Sequence, residues 1–325
     1  MEPIRRQNEY ELEEFVKNQN WSGNRLPIVV VGPTAVGKTA AAIELAKRVD
    51  GEIVNADSMQ VYIGMDIGTA KPSFSERETI PFHLLDVVSP EVQFTVSDWK
   101  ELAEKTILEI HARNKQAIVC GGTGLYIRAL LENWSLAETP SDDSIRNLLK
   151  KRAESEGSNS LHSELAEVDA KSAIRIHPND VVRIIRALEV YLASGKRISE
   201  HQEEDRATQS RRPSKTWGLS LPRPELYARI EDRIDRMFED GFETEVRDLL
   251  SREFVADSNA MKSLGYKETE LYLQGDYDRA EAIRLIKQNT RRYSKRQMTW
   301  FNADHQIVWI DCSELNSAEI AARIA

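Results

Sequence analysis

The segment Gly32 to Thr39, which reads GPTAVGKT, restricts the fold of this chain more than any other feature. It matches the pattern GxxxxGK[ST], with the apolar run Pro27–Val31 before it and the helical pattern Ala40–Val49 after it. The glycines let backbone amides converge on an anion, and the helix N-terminus adds partial positive charge. The sequence therefore predicts a phosphate-binding P-loop in which Lys38 reaches the terminal phosphate and Thr39 can ligate Mg²⁺.

Short apolar runs alternate with helical patterns on both sides of this loop. Strands are predicted at Glu52–Asn55, Gln116–Cys120, Thr216–Leu221 and Gln306–Ile310. Such alternation is typical of an α/β fold, here a P-loop NTPase-like parallel sheet flanked by helices.

Between residues 130 and 212 the strand-like runs disappear and charged helical patterns replace them. We expect helices at Ser160–Ile174 and Val181–Ser194, followed by a mobile charged segment at Ser199–Arg212. Later helices are expected at Arg223–Leu250 and Asp276–Phe301. The chain is thus predicted to hold an N-terminal appendage (1–25), a P-loop α/β core (26–129 and 213–325) and an all-helical insert (130–212).

Composition narrows the class of protein. The 325 residues include 41% hydrophobic and 30% charged residues, which is typical of a globular protein, and no apolar run long enough for a transmembrane helix. Cys120 and Cys312 have no metal-binding spacing and form no disulfide framework. We expect a cytoplasmic protein that does not associate with a membrane and has no obligate protein partner. The net charge of −9 argues weakly against nucleic-acid binding, but basic residues cluster at Arg284–Arg296.

Polar side chains follow the second predicted strand, where ligands bind in parallel sheets. Asp57 is a candidate general base, a water-mediated Mg²⁺ ligand or a helix cap, and the residues leave these roles open. Gln60 is placed to hydrogen-bond an adenine edge. Thr123, in the turn Gly121–Gly124 after another strand, offers a hydroxyl. The glycine-punctuated loop Gly64–Pro72 is either a substrate clamp or a plain connection.

Basic residues supply further candidates. Arg223 is either a clamp on a leaving phosphate or a solvated side chain beside two prolines. A phosphate-backbone surface, or a solvated helix face, is expected from Arg284, Lys287, Arg291, Arg292, Lys295 and Arg296. On the insert, a second nucleic-acid contact is expected from His177, Arg183 and Arg186.

An ordered set of motifs resembles a known family. The motifs are GPTAVGKT, NADSMQVYIGMDIGTAKP, VCGGTGLY, RIHPNDVVRIIRALEVY and TRRYSKRQMTWF, spread from about Leu26 to Asp311. Together they resemble the bacterial tRNA dimethylallyltransferases, also called tRNA isopentenyltransferases. This family transfers the dimethylallyl group of dimethylallyl pyrophosphate to N6 of adenosine 37, beside the anticodon of tRNA, and releases pyrophosphate.

The resemblance implies roles for particular residues. Asp57 matches the general base, Thr123 a threonine near the reacting centre, and Arg223 a pyrophosphate-contacting arginine. Pyrophosphate would be bound by Gly32, Thr34, Ala35, Gly37, Lys38 and Thr39, with Mg²⁺ on Thr39. The target adenine would be recognised by Asp57, Ser58, Met59 and Gln60. The insert and the basic helix would contact the anticodon stem-loop of tRNA.

Three other functions remain open at this point. The P-loop alone is compatible with a small-molecule kinase, although the basic helix and the insert argue against one. A prenyltransferase acting on free adenine nucleotides would use the same site without needing the insert. A nucleotide-switch RNA-binding protein would leave Asp57 and Thr123 without a purpose.

Overall fold

The computed structural model describes residues 26–134, 142–208, 211–256 and 258–325, so the predicted appendage 1–25 lies outside the described residues. The chain divides into two compact units. Among the described residues, one unit comprises those up to Leu131 together with those from Arg212 onward, and the other comprises those from Glu132 to Arg211. The boundaries predicted from the change in sequence pattern lie within a few residues of these divisions.

A parallel sheet forms the centre of the first unit, with the strand order β3-β2-β4-β1-β5-β6. All the strand pairs of this sheet among the described residues are parallel. The predicted α/β fold with a parallel sheet flanked by helices is therefore confirmed. The strands are β1 Ile28–Val31, β2 Gly51–Asn55, β3 Phe82–His83, β4 Gln116–Gly121, β5 Lys215–Ser220 and β6 Val308–Asp311.

Helices cover both faces of this sheet. The chain moves from β1 to β2 in one direction along the sheet and from β3 to β4 in the other, so right-handed crossovers place the two connecting helices on opposite faces. The helices of this unit are α1 Lys38–Val49, α2 Phe74–Thr79, α3 Val96–Ala112, α4 Gly124–Leu131, α10 Arg223–Glu239, α11 Phe242–Leu250, α12 Tyr266–Gln274, α13 Arg279–Asn302 and α14 Ser317–Ile324.

The register of the central strands determines where a site can form. Val31 at the end of β1 pairs with Gly121 at the end of β4, and Asn55 at the end of β2 pairs with Cys120. Three strand ends therefore meet at one edge of the sheet. The P-loop, Asp57 and Thr123 follow directly from these three ends, so the topology brings distant sequence motifs together.

The second unit consists of helices among its described residues. A small core of Leu149, Leu161, Leu165, Ile184 and Leu188 holds them together. The helices are α5 Asp143–Glu156, α6 Ser158–Val168, α7 Ala170–Arg175, α8 Val181–Ser194 and α9 Ile198–Thr208.

Two helix predictions for this unit are wrong in detail. The expected helix Ser160–Ile174 is broken at Asp169, whose carboxylate accepts hydrogen bonds from the backbone amides of Ser172 and Ser199. The amide of Ser199 lies in the segment that was expected to be mobile. Residues 198–208 of that segment form the helix α9 instead.

One helix prediction for the first unit is also wrong in detail. The expected single helix Arg223–Leu250 is interrupted at Gly241, which has φ 98°, a left-handed conformation that ends the helical path. The chain resumes as α11 directly afterwards.

Candidate functional site

The P-loop is held by close contact with the neighbouring strand. Gly32 has φ 146°, and a Cβ atom there would lie 2.6 Å from the carbonyl oxygen of Leu219 on β5. Ala35 also takes a positive φ of 63°, which is unusual for a residue with a side chain. Only glycine fits at position 32. The strained turn at Ala35 then leads into the start of α1.

A cavity of about 550 Å³ opens beside the P-loop in the sheet-bearing unit. Its wall combines cationic, anionic and amide groups that come from separate strands, helices and loops of the chain. Among the lining residues are Thr34, Lys38, Thr39, Asp57, Gln60, Cys120, Arg233 and Gln297. Concave sites with a few converging polar groups are typical ligand sites.

Lys38 reaches into this cavity at the start of α1. Its Nζ donates a hydrogen bond to the carbonyl oxygen of Pro33 at 2.7 Å, so the side chain folds back over its own loop. Burial lowers the pKa of Lys38 to about 8, although the nearby Cys120 and Asp57 oppose that shift. An anion bound beside Nζ would favour the charged form.

Asp57 lies just beyond the end of β2. Its Oδ1 accepts a hydrogen bond from the backbone amide of Met59 at 2.9 Å, and its own amide donates to Asn55. No helix begins at this residue, so the capping role is limited to a turn. Since Asp57 also lines the cavity, its carboxylate is oriented by the turn and available to a ligand.

Thr123 is tied to the same region. Its Oγ1 accepts a hydrogen bond from the backbone amide of Ser58 at 2.9 Å, and its amide donates to the carbonyl of Ala56. The turn after β4 is thereby joined to the segment that carries Asp57. The structure thus brings together the P-loop, Asp57 and Thr123, as the sequence predicted.

Gln60 and Met59 make contacts within the protein. The Gln60 amide nitrogen donates to the carbonyl oxygens of Thr69 and Ala70 at 3.1 and 3.2 Å, while the residue lines the cavity. Its contact with an adenine edge stays a prediction. Met59 packs against the hydrophobic core.

The loop at 64–72 is a wall of the cavity rather than a plain connection. Thr69, Ala70, Lys71 and Pro72 line the cavity. The carboxylate of Glu245 anchors the loop by accepting hydrogen bonds from the backbone amides of residues 66, 67 and 68, at 2.7 to 3.1 Å.

Arg233 and Arg236 are the arginines of α10 that line this cavity. Arg223 lies exposed in the first turn of α10 and does not line the cavity. Arg233 lies about 15 Å farther along that helix at 1.5 Å per residue. Its Nη1 donates a hydrogen bond to Thr34 Oγ1 at 2.9 Å. Burial lowers the pKa of Arg233, while the attraction of Asp57 opposes the change.

The sequence contained signals for two site residues to which the sequence analysis assigned no role, Arg233 and Gln297. Ile230, Ile234 and Met237 form the buried stripe of α10, and Arg233 lies on that same stripe. Gln297 lies on the buried stripe of α13. A polar residue on an otherwise apolar helix face is either satisfied internally or faces a site.

The predicted phosphate surface on α13 is partly neutralised. Arg284, Lys287 and Arg291 form ion pairs with Glu281, Asp235 and Glu231, respectively. The other three basic residues of the prediction, Arg292, Lys295 and Arg296, are exposed.

The insert residues also separate into different environments. The His177 Nδ1 accepts a hydrogen bond from the Asn179 amide in an exposed turn. Arg183 is exposed and forms an ion pair with Asp180 at 3.5 Å. Arg186 donates to Glu189, a fully buried carboxylate, so its charge serves the fold of the helical unit.

The fold and the cavity define a protein of the P-loop class in which the P-loop lysine and a carboxylate line one cavity. The family model for IPP transferases matches residues 60–304, about three quarters of the chain. The chain therefore belongs to the IPP transferase family, and the resemblance noted in the sequence is confirmed. Among the described residues, no helix is both long and apolar enough to cross a membrane.

Curated relatives match most of the chain. A tRNA dimethylallyltransferase of Geobacter metallireducens is 51% identical over 284 residues, covering 87% of this chain and 92% of the relative. A tRNA dimethylallyltransferase of Geobacter sulfurreducens is 49% identical over 294 residues, covering 90% and 94%.

Solved structures are similar over the same range. The tRNA isopentenylpyrophosphate transferase of Bacillus halodurans has a TM-score of 0.68 at 38% identity and covers 93% of this chain and 94% of its own. A eukaryotic dimethylallyltransferase described as acting on tRNA has a TM-score of 0.74 at 29% identity, with coverages of 90% and 75%.

Proposed function

We propose that this protein is a tRNA dimethylallyltransferase that transfers the dimethylallyl group from dimethylallyl pyrophosphate to N6 of adenosine 37, beside the anticodon, and releases pyrophosphate. The observation that carries the proposal is that the P-loop lysine, Arg233 and Asp57 line one cavity. Relatives about half identical to this chain bear the name of that activity. A tRNA-modifying role also favours a cytoplasmic location.

The cationic end of the cavity suits the pyrophosphate of the donor. Lys38 and Arg233 carry positive charge, and α1 begins at the P-loop with its partial positive end toward the cavity. Arg233 takes the role that the resemblance assigned to Arg223. As the allylic C1–O bond breaks, its electron pair passes to the pyrophosphate oxygen, and these cations stabilise the departing charge.

The site also fits Mg²⁺, which we propose accompanies the donor. Thr39 and Asp57 line the cavity, and hydroxyl and carboxylate oxygens are the hard ligands that Mg²⁺ prefers. The described residues contain no group of three or more His, Cys, Asp or Glu side chains placed to hold a metal. Phosphate oxygens and water would therefore complete the coordination, and the ion would supply further stabilisation of the leaving group.

Asp57 is placed to act as the general base. An exocyclic adenine amine is a poor nucleophile, because its lone pair is delocalised into the ring. As the N6–C1 bond forms, the nitrogen loses a proton, and the Asp57 carboxylate accepts it. Such proton transfer contributes about 10²- to 10⁴-fold in rate. The turn hydrogen bond from Met59 orients the carboxylate for this step.

The acceptor adenosine must leave its stack in the anticodon loop to reach the cavity. Extruding a base costs roughly a few kcal/mol, which contacts with the phosphate backbone can offset. The exposed Arg292, Lys295 and Arg296 on α13 are the candidates for those contacts in the sheet-bearing unit. Arg183 is the corresponding candidate in the helical unit.

A direct assay tests the proposal. The protein is incubated with Mg²⁺, dimethylallyl pyrophosphate and unmodified tRNA that reads UNN codons, and the tRNA is digested and analysed by mass. A mass gain of one prenyl unit on the adenosine is expected. In one parallel assay AMP replaces tRNA as the acceptor. In another, ATP is supplied together with small-molecule acceptors. Transfer to AMP at equal efficiency would favour the free-nucleotide prenyltransferase, and phosphoryl transfer without prenylation would favour a kinase.

A further inference from the structure

Gln297 connects two walls of the cavity through a single side chain. It is 6% exposed on α13 and lines the cavity beside the P-loop. Its Oε1 accepts a hydrogen bond from the backbone amide of Thr34 at 2.9 Å. Its Nε2 donates to the carbonyl oxygen of Gly122 at 2.9 Å. The P-loop and the turn after β4 are therefore joined by the two ends of one amide.

The space for this amide depends on a missing side chain. A Cβ atom at Gly122 would lie 2.4 Å from Gln297 Nε2. Gly122 does not take a left-handed φ, so an alanine there would meet no backbone strain. The glycine is consequently required for the close approach of Gln297 rather than for its backbone conformation.

The same helix reaches the other half of the site one turn earlier. Burial raises the pKa of Tyr293, and the nearby side chains of Gln297 and Thr123 oppose that rise. Arg296, next to Gln297 in the chain, is exposed, and its guanidinium lies 5.7 Å from the centre of the Tyr293 ring. The helix thus carries both the exposed cations proposed to contact RNA and the buried amide that contacts the P-loop.

We propose that Gln297 is a positioning residue for prenyl transfer, which fixes the P-loop at Thr34 relative to the turn at Gly122. This inference rests on the proposed function. Gln297 acts through those two backbone groups, because both ends of its amide are already engaged by them. Loss of the Gln297 amide should therefore weaken the binding of pyrophosphate more than the binding of tRNA.

The first test replaces Gln297 by methionine, which keeps the unbranched shape and removes both hydrogen bonds. We expect the KM for dimethylallyl pyrophosphate to rise about tenfold or more, since two hydrogen bonds are lost, while the KM for tRNA changes little. Gln288→Met on the same helix, outside the cavity wall, is the matched control. Equal increases in both KM values, or no increase, would overturn the proposal.

A double-mutant cycle gives a second, independent test. Gly122→Ala should weaken donor binding, because the added methyl displaces the Gln297 amide. In a Gln297→Ala background that methyl has room, so Gly122→Ala should add little further loss. Losses that simply multiply would show that the contact does not carry the effect.

Two readouts keep the result interpretable. Calorimetry with pyrophosphate alone measures the affinity of the P-loop site without any prenyl transfer. An absence of prenyl transfer by the unmodified protein would therefore count against the proposed function and not against this role of Gln297. If Gln297→Met lowers the melting temperature, Gln297→Glu replaces it. The glutamate still accepts from Thr34 but cannot donate to Gly122 and adds negative charge, so an unchanged pyrophosphate affinity would refute the role.

Discussion

The guanidinium of Arg233 donates a hydrogen bond to the Thr34 hydroxyl at 2.9 Å, which places a side chain from the second half of the chain on the P-loop. The two residues belong to the two chain segments, up to Leu131 and from Arg212 onward, that together form the sheet-bearing unit. The contact makes Arg233 part of the proposed pyrophosphate site, and it distinguishes this arginine from Arg223.

Arg233→Gln should lower kcat/KM for the donor by about 10²- to 10³-fold, because a preorganised cation is lost where leaving-group charge develops. Arg223→Gln, at the exposed start of the same helix, should change it less than about threefold. Steady-state kinetics with varied donor concentration measure both. The assignment fails if Arg223→Gln has the larger effect.

Asp57→Asn should reduce turnover by about 10²- to 10⁴-fold while tRNA binding is retained. Asparagine keeps an oxygen that can accept from the Met59 amide, so the turn should survive the change. Single-turnover transfer and filter binding of tRNA measure the two properties separately. Unaltered turnover would exclude Asp57 as the base.

Lys38 should make pyrophosphate binding dependent on pH. Burial lowers the pKa of the unliganded lysine to about 8, so the side chain loses its charge as pH rises above that value. A bound anion favours the protonated form, so the affinity should fall above pH 8 and binding there should take up protons. Calorimetry in buffers of different ionisation enthalpy tests this, and a constant affinity from about pH 7 to 9.5 would contradict it.

The exposed cations Lys295 and Arg296 of α13 should contribute to the salt dependence of tRNA binding. Arg296→Gln and Lys295→Gln should each reduce the slope of log K against log salt by about 1. Arg284→Gln is the control, because Arg284 is paired with Glu281 and should release fewer counterions. Equal slopes for all three variants would indicate that ion pairing does not select the contacts.

Arg186 should affect stability more than RNA binding. Glu189 is fully buried and accepts hydrogen bonds from Arg146, Arg186 and the backbone amide of Asp142. Glu189→Leu should lower the free energy of unfolding by about 3–5 kcal/mol, because it leaves these groups without the carboxylate.

Arg186→Gln should lower the melting temperature. It should change the slope of log K against log salt for tRNA binding less than the exposed Arg183→Gln does. The reverse order of slopes would restore Arg186 as an RNA contact.

Local patterns were sufficient for much of the fold. The β-branched run at Ile28–Val31 and the helix Val181–Ser194 were predicted closely, because alternation and periodicity are properties of neighbouring residues. Helix breaks at Asp169 and Gly241 were missed. At the first break, the Asp169 carboxylate caps the next helix through the amide of Ser172 and also accepts a hydrogen bond from the distant Ser199. The second break is a left-handed backbone at Gly241 within a continuous helical pattern.

The sequence by itself determined that a P-loop precedes a helix, that Asp57 and Thr123 follow strand ends, and that a parallel sheet gathers them. Those conclusions follow from contiguous motifs and from the geometry of parallel strands. Only the tertiary structure decided that Arg233 rather than Arg223 contacts the P-loop, that Gln297 joins Thr34 to Gly122, and that Lys287 and Arg291 of α13 pair with Asp235 and Glu231 of α10. Each of these depends on which side of a helix packs against a segment far away in the chain, and helical periodicity alone does not specify that partner.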